Sequence, residues 1–372
     1  MKKKVVQLIA SESLYNENLQ MNLKKNEKFV SHFDLIEINI DKEMKEFEET
    51  NNIKKFKELS SFKRIIYLYR FNKYLIIKYK YLKGSILHIQ FVQTKYAFMI
   101  WFFKTIFSKI VTTFWGSDLL RIKENKKILL RVISHYSDII TFETKSFSQI
   151  FCKKISDKYS DKIRIVDFGI QILDDIDNID SNDINAFKRE FKIDNDRVVA
   201  AIGYSRIVEH QHIDTINSLI KSNIKKNDIF IVIPWTYGFE VEGYREKIED
   251  LIKDKFDYVF IDRKLTNKEM ATLRCAIDIL IHVETTDVLS FSMLETLYAK
   301  KNVITGSWLP YDDIYKCGVV MERVDRVDEV GERIKKILNR PLDIRIAQNN
   351  RKIIERLYRW DNCIDNWVSL YV

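Results

Sequence analysis

The chain has 372 residues, 46% of them apolar and 13% aromatic, which excludes a disordered tail and leaves room for two ordinary domains, each with its own core. The formal net charge is +9, and residues 51–110 alone hold thirteen Lys or Arg against a single acid, Glu58, so the remainder is close to balance. The four cysteines are scattered without a CxxC pair, which excludes a disulfide scaffold and fits a reducing cytoplasm.

The charged start MKKK is followed by the apolar run VVQLIA, too short for a signal-peptide core or a membrane span, and this run reads as a first strand. DLIEINI, SILHIQFV, KIVTTFW, DIITFET and KIRIVDFG extend a first set of candidate strands. Among them, SFKRIIYLYRFNKYLIIKYKYL and KYAFMIWFFKTIFSKI carry the charge excess, interleaved with aromatics. Such a stretch suits a core helix with a solvated lysine face or a surface for anionic lipid headgroups; nucleic acid has no supporting motif. At residues 174–183, DDIDNIDSND interrupts with acids and turn formers and predicts a junction near residue 178. RVVAAIGY, DIFIVIPW, DYVFID, AIDILIHV, NVITG and GVVMERV form a second set, with the helical patterns NKEMATLRCA and MLETLYAKK between them. Strands separated by helices predict parallel sheets, because a parallel pair needs a crossover connection. The fold class is therefore α/β, with two Rossmann-like, doubly wound halves.

In such sheets ligands sit at the carboxyl ends of strands, where helix N-termini offer N–H groups and the positive end of a dipole. AIDILIHV is a buried strand, VETTD the loop at its carboxyl end, and SMLETLYAKK the helix that follows. Two acids, Asp287 and Glu295, stand eight residues apart across this junction. Carboxylates pair well with vicinal hydroxyls, and a helix start suits a diphosphate. A structural alternative is the S-x-x-E capping box, with Ser292 and Glu295 satisfying helix-end donors.

The acid-x7-acid pattern of Asp287 and Glu295 resembles the motif of family 4 glycosyltransferases of the GT-B fold, of the bacterial surface polysaccharide biosynthesis type. The resemblance implies that Asp287 reaches the donor sugar, that Glu295 binds the nucleotide ribose, and that Ser290 with Phe291 holds the diphosphate. Asp stands where the family has Glu, one methylene shorter. In AAIGYSRIVEHQH, Gly203 and Arg206 occupy the family's glycine-arginine turn, while Gln211, between His210 and His212, stands at the family's lysine position. The same turn, with Ser205, also resembles that of the lipid-linked aminofucosyl transferases, as IPWTYG with Tyr237 and Gly238 resembles their P-x-x-Y-G loop. Those enzymes invert configuration, whereas the acid pair implies retention. An H-x-H pair with no third ligand at suitable spacing does not define a zinc site.

The resemblance assigns the acceptor to the first half. The loop TTFWGSDLLR places Trp115, Gly116, Ser117 and Asp118 after a strand, with Asp118 a candidate base or a helix N-cap, and Glu12 lies in the loop after the first strand. The terminal helical pattern, 346–372, is of the kind that GT-B enzymes return to the first domain. The expected division is residues 1–176 for the acceptor and 177–345 for the nucleotide-sugar, the two facing across a cleft. The expected activity is metal-independent transfer of a sugar from a nucleotide diphosphate to a glycan, with a lipid-linked acceptor and retention favoured. Asp118, Arg206 and Asp287 are the candidate catalytic residues, and no cofactor is expected. A cytoplasmic protein, with an anionic membrane surface as candidate partner and no nucleic acid, completes the expectation. A non-catalytic nucleotide-sugar-binding module is the competing class. A dinucleotide oxidoreductase is disfavoured, because no G-x-G-x-x-G follows the first strand.

Overall fold

The protein is described by a computed structural model covering residues 2–9, 14–193, 196–340 and 342–372. The chain divides into two compact units, Met1–Gly169 with Trp360–Val372, and Ile170–Arg359.

Each apolar run of the first set forms a strand of the first unit: β1 (Lys3–Ile9), β2 (Phe33–Asn39), β3 (Ile86–Gln90), β4 (Lys109–Thr113), β5 (Ile139–Phe142) and β6 (Ile163–Ile165). They pair in parallel in the order β2-β1-β3-β4-β5-β6. Val5, Val6, Leu8 and Ile9 of β1 are all buried, and apart from the buried Gln7 the strand is apolar from Val5 onward, as strands covered on both faces are. β3 departs from that rule with His88 and Gln90, both fully buried. His88 is satisfied on both sides, Nδ1 lying 2.7 Å from the Tyr371 hydroxyl and Nε2 2.7 Å from Thr113 Oγ1. Burial lowers its pKa to about 3, so the ring is neutral. Trp367 stacks on His88 with centroids 5.8 Å apart and donates through Nε1 to Asp167 O at 2.8 Å. These contacts dock the last helix, Trp360–Ser369, in the first unit.

The second set forms the sheet of the second unit: β7 (Val198–Ile202), β8 (Ile229–Pro234), β9 (Asp257–Ile261), β10 (Ile279–His282), β11 (Asn302–Gly306) and β12 (Glu322–Val324). Its parallel order is β12-β11-β10-β7-β8-β9, the core gathering Ile202, Ile231, Ile281 and Ile304 with Leu219 and Ile248 from covering helices. The sequence order reverses between β7 and β10, which makes their carboxyl ends the topological switch point of this sheet.

The acidic stretch 174–183 is not the turn-rich junction its composition predicts. It contributes to two helices, Leu173–Asp177 and Ser181–Glu190, the second opened by a capping box of Asp180 and Asp183. Asp177 accepts from the Tyr298 hydroxyl at 2.9 Å and pairs with Arg351 and Arg359. Aspartates serve equally at helix starts and in turns, and here Asp180 and Asp183 cap a helix while Asp177 holds two arginines. The boundary between the units accordingly falls earlier, at 169/170, and the helix Ile344–Tyr358 belongs to the second unit, leaving Trp360–Ser369 as the terminal helix of the first.

Candidate functional site

The switch point of the second sheet gathers the loops after β7, β8 and β10. Gly203, at the end of β7, has φ +65°, and a Cβ there would meet His210 Cγ at 2.7 Å, so both backbone and space demand glycine. Its N–H donates to Ile281 O at 3.0 Å, tying the turn to β10. The turn is also bound to the loop after β8: Arg206 N–H donates to Tyr237 O at 3.1 Å, and Arg206 Nε to Gly238 O at 2.8 Å. Gly238 has φ +108° and packs against Ile207. Glu240 lies 3.3 Å from the Arg206 guanidinium, which stays partly exposed at the loop surface. Tyr237 is half exposed.

Ser205 and Gln211 turn inward. Ser205 Oγ is buried 2.9 Å from His210 Nε2, and His210 Nδ1 lies 3.0 Å from Glu284 Oε1. Gln211, in the left-handed conformation at φ +55°, donates through Nε2 to Val283 O at 2.6 Å, and Thr285 N–H donates to Glu209 O at 3.0 Å. These bonds fasten the turn after β7 to the end of β10. His212 is buried beside the Tyr244 hydroxyl at 3.3 Å, and its pKa is lowered to about 3 by burial. Among the described residues no group of three or more His, Cys, Asp or Glu could hold a metal ion.

Each acid of the Asp287/Glu295 pair has its own partners. Asp287 accepts a short hydrogen bond from the Tyr311 hydroxyl and lies 3.3 Å from His282 Nε2, while Tyr311 and His282 are themselves 2.6 Å apart. Tyr311 is fully enclosed, and burial, then the Asp287 carboxylate, raises its pKa, so it remains a phenol donor. Glu295 accepts from Arg274 Nε at 3.0 Å, and the Arg274 side chain is 1% exposed. A second guanidinium nitrogen of Arg274 reaches Ser292 Oγ at 2.7 Å. The capping-box alternative is thereby overturned. The N-cap of the helix Phe291–Tyr298 is Ser290, whose Oγ accepts from Met293 N–H at 3.2 Å, and Glu295 lies beyond the third helical position. Phe291 opens the helix, so the expected diphosphate residues stand at its N-terminal end.

In the first unit, Asp118 is buried and takes backbone N–H groups from Val92 at 2.9 Å, Gly116 at 3.0 Å and Trp115 at 3.1 Å. Desolvation outweighs these bonds and raises its pKa to about 6. Asp118 is not an N-cap: Gly116, at φ +121°, precedes the short helix Ser117–Leu120, and Asp118 folds back from the first turn to tie the loop after β4 to the loop after β3. Ser117 is exposed, and Trp115 donates through Nε1 to Gln90 Oε1 at 3.1 Å. Glu12 lies outside the described residues.

Sequence reasoning missed Arg274, His282 and Tyr311. Arg274 sits in the last turn of a helix over Asn267–Ala276 whose neighbouring positions are also buried, and nothing in NKEMATLRCA separates it from a solvated arginine. His282 and Tyr311 end or follow strands that become neighbours only once the sheet order is known.

No protein-family model matches the chain, and no curated protein sequence does. Solved structures match over nearly its whole length. A glycosyltransferase from Rickettsia africae aligns over 100% of this chain and 98% of its own at 15% identity and TM-score 0.73. Anabaena HepE in complex with UDP-glucose covers 99% of this chain and 100% of its own at 11% identity and TM-score 0.71. Sucrose-phosphate synthase from Thermosynechococcus elongatus covers 100% and 98% at 11% identity and TM-score 0.73. The chain thus shares the GT-B fold of these proteins, two Rossmann-like units with six parallel strands in each sheet.

Proposed function

We propose that the protein is a glycosyltransferase that moves a sugar from a nucleoside diphosphate to a glycan. The observation that carries this reading is the placement of Asp287, Glu295 and the start of the helix Phe291–Tyr298 at the switch point of the second sheet, with each acid held by its own partners. Glu295, oriented by Arg274, takes the ribose hydroxyls, and Asp287, oriented by Tyr311 and His282, takes a hydroxyl of the sugar. The helix start and the partly exposed Arg206 guanidinium receive the diphosphate. As the bond between the anomeric carbon and the phosphate oxygen breaks, charge builds on the diphosphate, and these fixed groups stabilise it without a metal. The acceptor hydroxyl oxygen forms the new bond to the anomeric carbon, its proton passes to the departing diphosphate, and configuration is retained. Asp118 would be the base of an inverting reaction, but both of its oxygens accept backbone N–H groups, which favours a loop-organising role and hence retention. UDP-glucose, present in the HepE complex, is the donor to try first.

The acceptor is assigned to the loops of the first unit around Trp115–Asp118, and a lipid-linked glycan of surface polysaccharide biosynthesis, met at the cytoplasmic side of the plasma membrane, is the acceptor class proposed. The test is incubation with a panel of nucleotide sugars, with and without EDTA, followed by NMR of the product anomer. Release of nucleoside diphosphate that EDTA does not slow, with the donor's anomeric configuration kept, is expected. An inverted product would overturn the assignment of retention, and binding without turnover would make the chain a nucleotide-sugar-binding module.

A further inference from the structure

The basic segment of the first unit folds so that large apolar residues lie outward among its cations. Along the helix Ser61–Lys78, Leu68, Phe71 and Leu75 are buried, whereas Phe62, Ile65, Ile66, Tyr69 and Ile77 are exposed. At 3.6 residues per turn the exposed set, with Lys63, Arg70 and Lys73, occupies one arc of about 160°. Phe62 is 73% exposed and Ile65 62%. Trp101, 58% exposed on the neighbouring helix Ile100–Ile106, extends the patch through Phe102, whose ring lies 6.4 Å from that of Tyr69. Asn72 fixes the two segments together by donating to Phe98 O at 3.1 Å.

The charges sort by face. The helix Ile40–Thr50 supplies the acids, and they are engaged by the inner side of the basic helix: Lys78 reaches Glu43 at 2.9 Å and Glu46 at 2.8 Å, and the Tyr67 hydroxyl donates to Glu48 at 3.0 Å. Lys63, Arg70, Lys73 and Lys80 make no ion pair among the described residues. Lys95 and Lys104, further along, are paired with Asp41 and Asp138. The result is an exposed apolar stripe with Lys73 within it, Lys63 and Arg70 along one edge, and no acid of its own. A solvated lysine face would show the opposite, with polar groups outward and apolar groups inward.

We propose that this face inserts into the headgroup boundary of an anionic bilayer, Phe62, Ile65, Ile66, Tyr69 and Trp101 entering the interface while Lys63, Arg70, Lys73 and Lys80 pair with lipid phosphates. Cations beside aromatic and aliphatic side chains are what such a boundary accommodates. A second copy of the chain fits less well, since a two-fold contact through this face would oppose the cationic flanks to themselves. Nucleic acid would use the cations and the aromatic rings but gains nothing from Ile65, Ile66 and Ile77. The inference goes beyond the lipid-linked acceptor of the proposed function and stands on these residues alone.

The experiment uses the full chain without donor or acceptor, sedimented with vesicles of phosphatidylglycerol and phosphatidylcholine. Binding at low salt, with a fraction retained at 1 M salt (roughly a 3 Å Debye length), is expected. Lys63→Glu with Arg70→Glu and Lys73→Glu should weaken low-salt binding by about a hundredfold or more. Phe62→Ser with Ile65→Ser and Trp101→Ser should abolish the retained fraction; these positions are exposed, so circular dichroism should be unchanged. No binding at low salt, complete release at high salt, or a retained fraction indifferent to the serine variant would each overturn the insertion. Dimerisation that the serine variant abolishes, or equal affinity for a polynucleotide, would assign the face to another occupant and overturn it as well. Donor turnover, measured apart, is untouched by any of these results.

Discussion

At the carboxyl edge of the second sheet, side chains hold side chains: Arg274 grips Glu295, Tyr311 and His282 converge on Asp287, and His210 lies between Ser205 and Glu284. At the carboxyl edge of the first, Asp118 instead accepts backbone N–H groups from Val92, Trp115 and Gly116. The outward surfaces differ too. In the second unit Arg263 lies between Glu190 and Glu269, while the helix Ser61–Lys78 of the first presents Phe62, Ile65 and Tyr69 to the outside beside Lys63, Arg70 and Lys73. The contrast teaches that the two halves share a fold and divide the labour. One fixes its carboxylates with side-chain partners, and the other ties its loops together through backbone N–H groups.

The largest expected effect tests the side-chain network of the second unit. Arg274→Leu leaves Glu295 buried without its cation, which costs about 3–5 kcal/mol. Urea denaturation should show that loss, and the double variant Arg274→Leu with Glu295→Leu should recover most of it while binding no nucleotide. A single variant as stable as the parent would mean that Glu295 does not depend on Arg274. Next in size is Tyr311→Phe, which removes the donor to Asp287 and should cost roughly 1.5–3 kcal/mol of sugar-nucleotide affinity while nucleoside diphosphate affinity stays level. Equal losses for both ligands in calorimetry would separate Asp287 from the sugar.

The two units also differ in how their buried groups respond to pH. His212 has its pKa lowered to about 3 from 6.5, so its contribution to stability is present above 6.5 and lost as pH falls toward 3. Asp118, raised to about 6 from 3.8, works the other way: its contribution is full below 3.8 and is lost as pH rises through about 6. Between pH 6.5 and 5, buried His212 should cost on the order of 2 kcal/mol, at about 1.4 kcal/mol per pH unit. Melting curves over that range should flatten in His212→Gln. Over pH 4–7, Asp118→Asn should remove part of the decline on the alkaline side. His88 of the first unit, lowered to about 3 by burial, adds an acid limb of the same sign as His212.

The twelve strands were legible because parallel strands covered on both faces leave continuous apolar runs, and even the interruptions at His88 and Gln90 left enough of β3 to find. The acid pair was legible as well, because its spacing is fixed by one strand end and one helix. Its partners were not. Tyr311 reaches Asp287 because β11 lies beside β10, a fact of sheet order, and Arg274 reaches Glu295 from another helix. The acids at 174–183 misled because aspartate caps helices as readily as it makes turns. In the basic helix, the sequence showed lysines and aromatics but not that Phe62, Ile65, Ile66, Tyr69 and Ile77 stay exposed beside the cations while Leu68, Phe71 and Leu75 turn inward. That is why Lys78, bound to Glu43 and Glu46, cannot be counted with the free cations.

The proposed function requires Glu295 and the switch-point loops of the second unit to bind a nucleoside diphosphate sugar. Its most direct measurement is calorimetric titration of a panel of nucleoside diphosphates and their sugars, UDP and UDP-glucose first, into the protein and into Glu295→Gln. The account predicts binding of at least one nucleotide, weakened about ten- to a hundredfold by the substitution while the far-ultraviolet spectrum stays unchanged. Binding of none of them, or binding that Glu295→Gln leaves unaltered, would contradict it.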